Sequence, residues 1–549
     1  MSASSKKKLR NEQNAAKMTE KQLAQQKEDK KLKLYTGIFV VVVALFLVIA
    51  VVIGVSNTIS ASGIREKNTV AVTVGEHKIS NAELNYYYID AINTFYSNYG
   101  SYASILGLDV TKALNEQVYD QDAGTTWADY FLDSAKENVR SVYAMADAAK
   151  AAGHQLSESE KAAVDNAVQQ MELYGMLYGY DSEGYLKAMY GTGATEESYR
   201  SYVEMSVLAD SYYSAYGESL SYDDAALREA EAENYDAYSS YTYNSYYLSA
   251  DKFLTGGTTA EDGTVTYSDE EKTAAAAAAK AAAEQLTGEE LTSVEAFDLA
   301  INALSINEGT EAKSTSNKDY GYNSISELQR EWITDSARAE GDMTVIENAT
   351  TSTDAEGNET TKVSGYYVLY WIGSNDNTFA LKNVRHILVG FEHNHNESEE
   401  HDHSTTSYTD EEKAAALAEA EAILNEWKNG EATEASFAEL ANAKSDDGDG
   451  TTGGLYENVY PGQMVESFEN WCYDASRATG DTGIVESAYG YHVMYFVGNS
   501  ETNYRDYQIS SQLKSEELSA WYEATVEGMT ITKGNTKYID KDLVLSTAG

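Results

Sequence analysis

The chain has very little cysteine, proline or positive charge. Its 549 residues include one cysteine, one proline, and 40 lysines and arginines against 88 aspartates and glutamates. A lone cysteine, Cys472, excludes an intramolecular disulfide, so stability must come from packing. With Pro461 as its only proline, the chain should lack most slow prolyl phases in its own folding. The net charge of −48 excludes nucleic acid as a favourable partner, because phosphates would be repelled.

Charge is also missing from one long apolar segment near the N-terminus. Residues 34–60 carry no charged side chain. An uncharged segment of this length is about long enough to span a bilayer. The basic residues of 1–33 predict a cytoplasmic tail, followed by a single transmembrane signal-anchor helix at 34–60. The protein is then expected in the cell membrane with its bulk outside the cytoplasm. A cleaved signal peptide is the alternative, since small residues follow at 60–62.

Residues 65–235 show mainly helical patterns. A short strand is predicted at 70–74, and the Ser-Asn-Ala-Glu sequence at 80–83 is a capping box that opens a long helix. Further helices are predicted at 127–153, 157–180 and 196–216. We therefore expect a helical domain with one short N-terminal strand.

One phrase of the sequence occurs twice. The segment 365–373, GYYVLYWIG, is matched by 490–498, GYHVMYFVG, and further matches lie upstream of both. Each copy is predicted to run strand, helices, strand, which indicates the α+β class. We predict two tandem domains and a C-terminal helical tail that packs on the N-terminal domain. Their predicted bounds are 238–376, 380–500 and 501–549.

The two copies differ in histidine. His492 stands where the first copy has Tyr367, and alignment of the opening strands places His386 opposite Tyr246. A shared fold with histidines in one copy only suggests one working site and one scaffold.

Five motifs of the second copy follow the order found in the parvulin family of peptidyl-prolyl isomerases, which this copy resembles. They are NVRHILV at 383–389, FAELA at 437–441, SDD at 445–447 before the glycines at 453–454, PGQMV at 461–465 and GYH at 490–492. The resemblance implies that His386 and His492 lie side by side beneath the site. It implies that Asp447 occupies an acidic or cysteine position of the family, with Asp446 as the alternative.

Prolyl isomerisation needs an apolar pocket and no covalent step. The rotation must break amide resonance, against a barrier of about 18–20 kcal/mol, and a pocket that prefers the twisted amide suffices. Met464 and Phe468 are four residues apart on a predicted helix, so they could form the proline pocket. The resemblance adds Gln463 at the start of that helix and Tyr456 where the family has a pocket leucine. No cofactor is expected.

A histidine-rich loop follows the opening strand of the second copy. Clustered imidazoles can bind zinc, nickel or copper, but the loop is polar and its spacing loose, so a solvated loop is the simpler interpretation. Its histidines are His393, His395, His401 and His403. The loop has no basic cluster, which argues against selectivity for phosphoserine-proline.

The whole arrangement resembles extracytoplasmic parvulin foldases of the PrsA type. That resemblance implies a membrane-anchored foldase whose partners are unfolded exported polypeptides. The alternatives are a non-enzymatic holdase that uses parvulin-like domains for binding, and a metal-responsive surface protein. The sequence does not predict the oligomeric state.

Overall fold

The computed structural model describes residues 63–288, 291–353, 357, 359–391, 408–448 and 450–545. The predicted tail and anchor, residues 1–60, lie outside the described residues, as does the histidine-rich loop. Within the described ranges, no helix is long and apolar enough to cross a membrane.

The N-terminal region is a helical layer built against a small sheet. Its elements are α1 (Ile64–Asn68), β1 (Val70–Val74), β2 (His77–Ser80), α2 (Asn81–Tyr99), β3 (Val118–Asp120), β4 (Thr125–Thr126), α3 (Trp127–Ala151), α4 (Glu158–Leu177), α5 (Ser182–Tyr190), α6 (Glu196–Ser219) and α7 (Asp224–Glu233). Side chains that accept hydrogen bonds from the first turn start the helices: Ser80 caps α2, and Thr126, Ser157 and Thr195 form capping boxes.

The first of two similar sheets follows this region. Its elements are β5 (Ser240–Ser249), β6 (Thr258–Thr259), β7 (Val265–Thr266), α8 (Asp269–Thr287), α9 (Val294–Ala303), β8 (Thr315–Gly321), α10 (Glu327–Ile333), β9 (Met343–Thr353) and β10 (Glu359–Asn375). The strand order is β8-β5-β10-β9, and every neighbouring pair is antiparallel. Polar residues at 350–353 and 359–362 extend the β9–β10 hairpin, where Glu359 pairs with Thr353.

The second sheet has the same order of strands. Its elements are β11 (Ala380–Gly390), α11 (Asp410–Asn429), α12 (Glu434–Lys444), β12 (Leu455–Val459), α13 (Glu466–Tyr473), β13 (Thr482–Ser487) and β14 (Gly490–Asn503). The order β12-β11-β14-β13 repeats that of the first sheet. Sequence patterns predicted only the two central strands, because the edge strands β12 and β13 are short and lack a regular apolar alternation.

Each sheet has one face covered by helices and a second face with its own apolar cluster. Beneath the helices, Phe297 packs with Tyr370 in the first sheet, and Phe437 packs with Tyr495 in the second. The ring centroids are 5.7 Å and 5.3 Å apart in these pairs. The opposite faces carry separate apolar clusters. One contains Leu369 in the first sheet, and the other contains Met494, which holds the equivalent position in the second.

The strand register corrects the alignment of the first copy with the second. Gly490 pairs with Gly390 in the second sheet, and Gly365 pairs with Ser249 in the first. Counting back along the opening strands, the position of His386 corresponds to Ser245 and not to Tyr246. Because side chains alternate between faces, this one-residue difference moves Tyr246 to the helix-covered face.

The C-terminal chain returns to the N-terminal region. Helix α14 (Tyr504–Gly528) packs against α3, α6 and α7, and β15 (Ile531–Lys533) pairs with β1. The sheet order β15-β1-β2 therefore has three strands, where the sequence predicted one, because the third strand comes from the far end of the chain. Trp521 of α14 stacks on Tyr216 of α6 with ring centroids 3.9 Å apart.

A buried arginine joins the segments between these regions. Arg505, 1% exposed, donates to Glu231 at 2.5 Å, to the Tyr235 carbonyl at 2.5 Å and to the Asp376 carbonyl at 3.0 Å. Its guanidinium also lies 3.7 Å from the centre of the Tyr235 ring. One side chain thus connects the end of α7, the link between the two sheets and the start of α14.

Candidate active site

Two histidines meet on the face of the second sheet that the long helices leave uncovered. His386 on β11 pairs across the strands with Met494, and His492 on β14 pairs with Leu388, so the histidines are diagonal neighbours. Their Nδ1 atoms are 3.1 Å apart, and both side chains are buried. This is the arrangement that the resemblance implied for the two residues.

The hydrogen bonds around this pair run in one consistent direction. His386 Nε2 lies 2.9 Å from Asp447 Oδ2, and a carboxylate can only accept. With neutral rings, His386 therefore donates from Nε2 and accepts at Nδ1, so His492 donates from Nδ1. His492 Nε2 is then an acceptor, and the Ser487 hydroxyl, 2.8 Å away, donates to it. The tautomers of both histidines are assigned from these hydrogen-bond partners.

The loop after α12 holds the two aspartates in different roles. Asp446 is tied to β11, since its N–H donates to the Leu388 carbonyl at 2.8 Å and its Oδ2 accepts from the Gly390 N–H at 2.9 Å. Asp447 instead faces the histidines. Of the two residues considered from the sequence, the structure therefore brings Asp447 to His386.

Three predicted pocket residues surround the histidines. The rings of Tyr456 and Phe468 lie 4.8 Å and 5.4 Å from the His386 ring, and Phe468 lies 5.3 Å from the His492 ring. Met464 belongs to the same buried cluster. The spacing argument for Met464 is wrong, because α13 begins at Glu466 and Met464 lies in the turn that precedes it.

Gln463 shapes that turn. Its Oε1 accepts from the Tyr460 N–H at 3.1 Å, and its own N–H donates to the Tyr460 carbonyl at 3.1 Å. Gly462 between them has a φ of 81°, a left-handed conformation that glycine adopts without strain. These bonds place Gln463 as a residue that fixes the turn carrying Met464.

Burial sets the protonation of two groups near the site. Burial, with the neighbouring Asp447 carboxylate, raises the pKa of Tyr456 well above its usual range. The Tyr456 hydroxyl therefore stays protonated and donates to Asp447 Oδ2. Burial likewise raises the pKa of Cys472 to about 12, so this thiol is a packing residue, as expected from its sequence context.

Comparison with known proteins identifies this region. Residues 386–498 match the family model of the PPIC-type PPIASE domain, Rotamase. This segment is a parvulin-type domain. The match includes both histidines, Asp447 and the predicted pocket residues, so the parvulin resemblance predicted from the sequence is confirmed for this part of the chain.

Curated relatives of the parvulin domain are foldases. The chain is 38% identical over 112 residues to Foldase protein PrsA 1 of Listeria innocua, and 37% identical to Foldase protein PrsA 1 of Listeria monocytogenes serovar 1/2a. Each match covers 19% of this chain and 37% of the relative, so the chain spans little more than a third of the length of these relatives.

Solved structures of two peptidylprolyl isomerases show a more distant similarity. Peptidylprolyl isomerase (PrsA) from Bacillus anthracis is 22% identical, with a TM-score of 0.17 over 28% of this chain and 59% of its own. The protein of the same name from Bacillus cereus is also 22% identical, with a TM-score of 0.17 over 30% of this chain and 57% of its own.

The first sheet lacks the corresponding polar group. Ser245, at the position of His386, accepts from Asn317 Nδ2 at 3.1 Å. Tyr367, at the position of His492, packs its ring 4.7 Å from that of Tyr247. Neither residue can form the paired imidazoles of the parvulin domain.

Sequence reasoning missed Ser487 and the Tyr456–Asp447 bond. Ser487 lies five residues before His492 across a tight hairpin, and that spacing is the signal that could have indicated a contact. The histidine-rich loop lies outside the described residues, and the residues that are described contain no group of three or more histidine, cysteine or acidic side chains able to hold a metal ion.

Proposed function

We propose that this protein is a membrane-anchored extracytoplasmic foldase that accelerates cis/trans isomerisation of X-Pro bonds in unfolded exported polypeptides. The observation that carries the proposal is the buried His386–His492 pair, tied to Asp447 within a domain that matches the PPIC-type PPIase family. The apolar run at 34–60 supplies the anchor in this proposal. Residues 380–500 act as the isomerase, and 238–376 is a second, inactive copy.

The chemistry requires differential binding of the twisted amide. Met464 and Phe468 supply apolar surface for the proline ring, and burial of the site keeps water from stabilising the planar amide. The two histidines act by holding each other and Asp447 in place. Because each ring nitrogen of the two histidines has a hydrogen-bond partner within the protein, we assign the histidines no proton transfer to the substrate.

Residues 65–235 would hold the client in this proposal. Exposed apolar side chains support this role, because clusters of them on a soluble surface mark interaction sites. Ile105 is 79% exposed and Leu106 49%, next to the exposed ring of Tyr102. A second set, Leu173, Met176 and Leu177, is exposed near the end of α4.

A non-enzymatic holdase is the second candidate, and one observation favours it. The pocket side chains are nearly closed to solvent in this structure, with Met464 4% and Phe468 2% exposed. A peptide must therefore displace part of the surrounding structure before a proline ring reaches them. If that displacement is too costly, the domain binds clients at its surface without isomerising them.

An exchange experiment separates the two functions. Magnetisation exchange between the cis and trans forms of a proline peptide is measured with residues 63–549 and with His386→Ala. We expect a fall in kcat/KM of roughly 100-fold in the variant, because loss of the partner misplaces the network. His154→Ala, which removes a histidine of the N-terminal region, is the matched control. No exchange with the folded parent would favour the holdase.

Aggregation of an unfolded client tests the holding surface separately. The double variant Ile105→Asp, Leu106→Asp should suppress aggregation less than the parent while keeping prolyl isomerase activity. Leu299→Asp is the control, because Leu299 is 70% exposed but lies on α9 of the first sheet. Equal suppression by all three proteins would contradict the assignment of holding to this patch.

A further inference from the structure

One oxygen of the proposed site has no hydrogen-bond partner. Asp447 Oδ2 accepts from His386 Nε2 and from the Tyr456 hydroxyl, whereas Oδ1 is buried and unpaired among the described residues. The Asp447 side chain is only 7% exposed. Burying an unpaired carboxylate oxygen is unfavourable, so its retention beside the pocket calls for a partner that arrives with a ligand.

We infer that Asp447 Oδ1 accepts a hydrogen bond from a backbone N–H of the bound polypeptide next to its proline. This inference rests on the proposed function. A carboxylate oxygen can only accept from a donor, and proline itself has no N–H. The nearest donors on any client are the N–H of the residue before proline and that of the residue after it. A backbone donor also suits a foldase, since every client sequence provides one.

Tyr456 is the positioning residue for this oxygen. Its hydroxyl and His386 Nε2 both bind Oδ2, which fixes the plane of the carboxylate and leaves Oδ1 unpaired. The pKa of Tyr456 is raised by burial, so the hydroxyl remains a donor at alkaline pH. The Leu-to-Tyr difference from the family pattern at this position thus has a function in this chain: it orients the acceptor.

Ester analogues of a proline peptide test the inference. In one peptide the amide N–H after proline is replaced by an ester oxygen, and in a second the N–H of the residue before proline is replaced. For the parent protein we expect one ester to lose roughly 10- to 100-fold in kcat/KM, the value of a hydrogen bond to a charged group. The ester peptide with the lower kcat/KM identifies which N–H is bound.

Enzyme variants show whether the loss belongs to Asp447. In Asp447→Ala the amide and the sensitive ester should become equivalent, and in Tyr456→Phe the discrimination should shrink severalfold. Glu457→Ala, an exposed acidic neighbour on β12, should discriminate as the parent does. Circular dichroism confirms that each variant is folded. If neither ester loses activity in the parent, or Asp447→Ala still discriminates, the inference is wrong.

Binding measurements keep this result distinct from the proposed function. The dissociation constants of the amide and ester peptides are measured by titration calorimetry on the same proteins. If the parent has no isomerase activity but binds the amide peptide more tightly in an Asp447-dependent way, the inference stands and the enzymatic function falls. If the parent isomerises the amide peptide but Asp447 has no influence on the ester ratio, only the inference falls.

Discussion

The two four-stranded sheets are built alike on one face and differently on the other. Under the helices, Phe297 with Tyr370 and Phe437 with Tyr495 occupy matching places. On the opposite face, His386 and His492 are matched by Ser245 and Tyr367. The helix-covered faces therefore share the packing that both sheets need to fold. The opposite face can gain or lose a polar network without a change in the order of the strands.

The largest expected effect tests the shared face. Phe297→Ala and Phe437→Ala each remove a fully buried ring, and each should destabilise its own sheet by about 3–5 kcal/mol. Hydrogen exchange of β5 and β11 measures the two effects separately. If one substitution speeds amide exchange in its sheet and the other does not, the two helix-covered faces are not equivalent.

Exchanging residues on the opposite face gives the next effect. His492→Tyr copies the first sheet into the second, removes the partner of His386 and should lower prolyl isomerase kcat/KM roughly 100-fold. The reverse change, Tyr367→His, should leave activity unchanged, because Ser245 offers no imidazole to pair with. A gain of activity in Tyr367→His would show that the first sheet holds a competent pocket.

Ser487→Ala should have a moderate effect. The hydroxyl donates to His492 Nε2, and the loss of one neutral hydrogen bond corresponds to roughly 2- to 10-fold in kcat/KM. Asn348 holds the matching position on β9, so Asn348→Ala is the control without expected change. An unchanged rate in Ser487→Ala would mean that the His386 contact alone orients His492.

The smallest effect concerns a repeated lysine. Lys413 donates a hydrogen bond to Glu486 on β13 at 2.9 Å, whereas the matching Lys272 forms an ion pair with Asp269 on its own helix. Lys413→Met should lower the thermal midpoint by no more than about 2 °C, and Lys272→Met should not lower it.

Acid should remove this small difference. The hydrogen bond from Lys413 lowers the pKa of Glu486 below its usual 4.5. A carboxyl with a lowered folded-state pKa stabilises at neutral pH, and its contribution is lost as the pH falls through that pKa. The parent and Lys413→Met should therefore unfold alike in acid. A difference that persists there would have another origin.

The α+β class and the parvulin resemblance could be predicted because both depend on local signals. The strand around His386 and the helix that contains Phe437–Ala441 correspond to short motifs of the sequence, although that helix begins at Glu434, before the motif. The register was harder to obtain, because Tyr246 and Ser245 are adjacent and only the cross-strand pairing tells which faces the site. The start of α13 at Glu466 was also missed, since the turn at Gly462 interrupts the apparent helical spacing.

Several individual side-chain contacts could not be predicted from one sequence. The Tyr456–Asp447 bond and the contacts of Arg505 depend on how loops meet after folding, and no periodic pattern encodes them. The third strand of the N-terminal sheet was likewise not predicted. Its residues, Ile531–Lys533, carry no local sign of the strand with which they pair.

The position of that strand has a consequence for biosynthesis. Asn81 in α2 donates to the Asn535 carbonyl, 454 positions later, and Ile539, Leu543 and Leu545 belong to the N-terminal core. At about 5–20 residues per second, roughly 20–90 s of translation separate the first partners from the last. During that interval the N-terminal region waits with an open sheet edge and an incomplete core, while both four-stranded sheets can already form. The nascent chain therefore exposes part of its N-terminal core until Ile539, Leu543 and Leu545 have been synthesised.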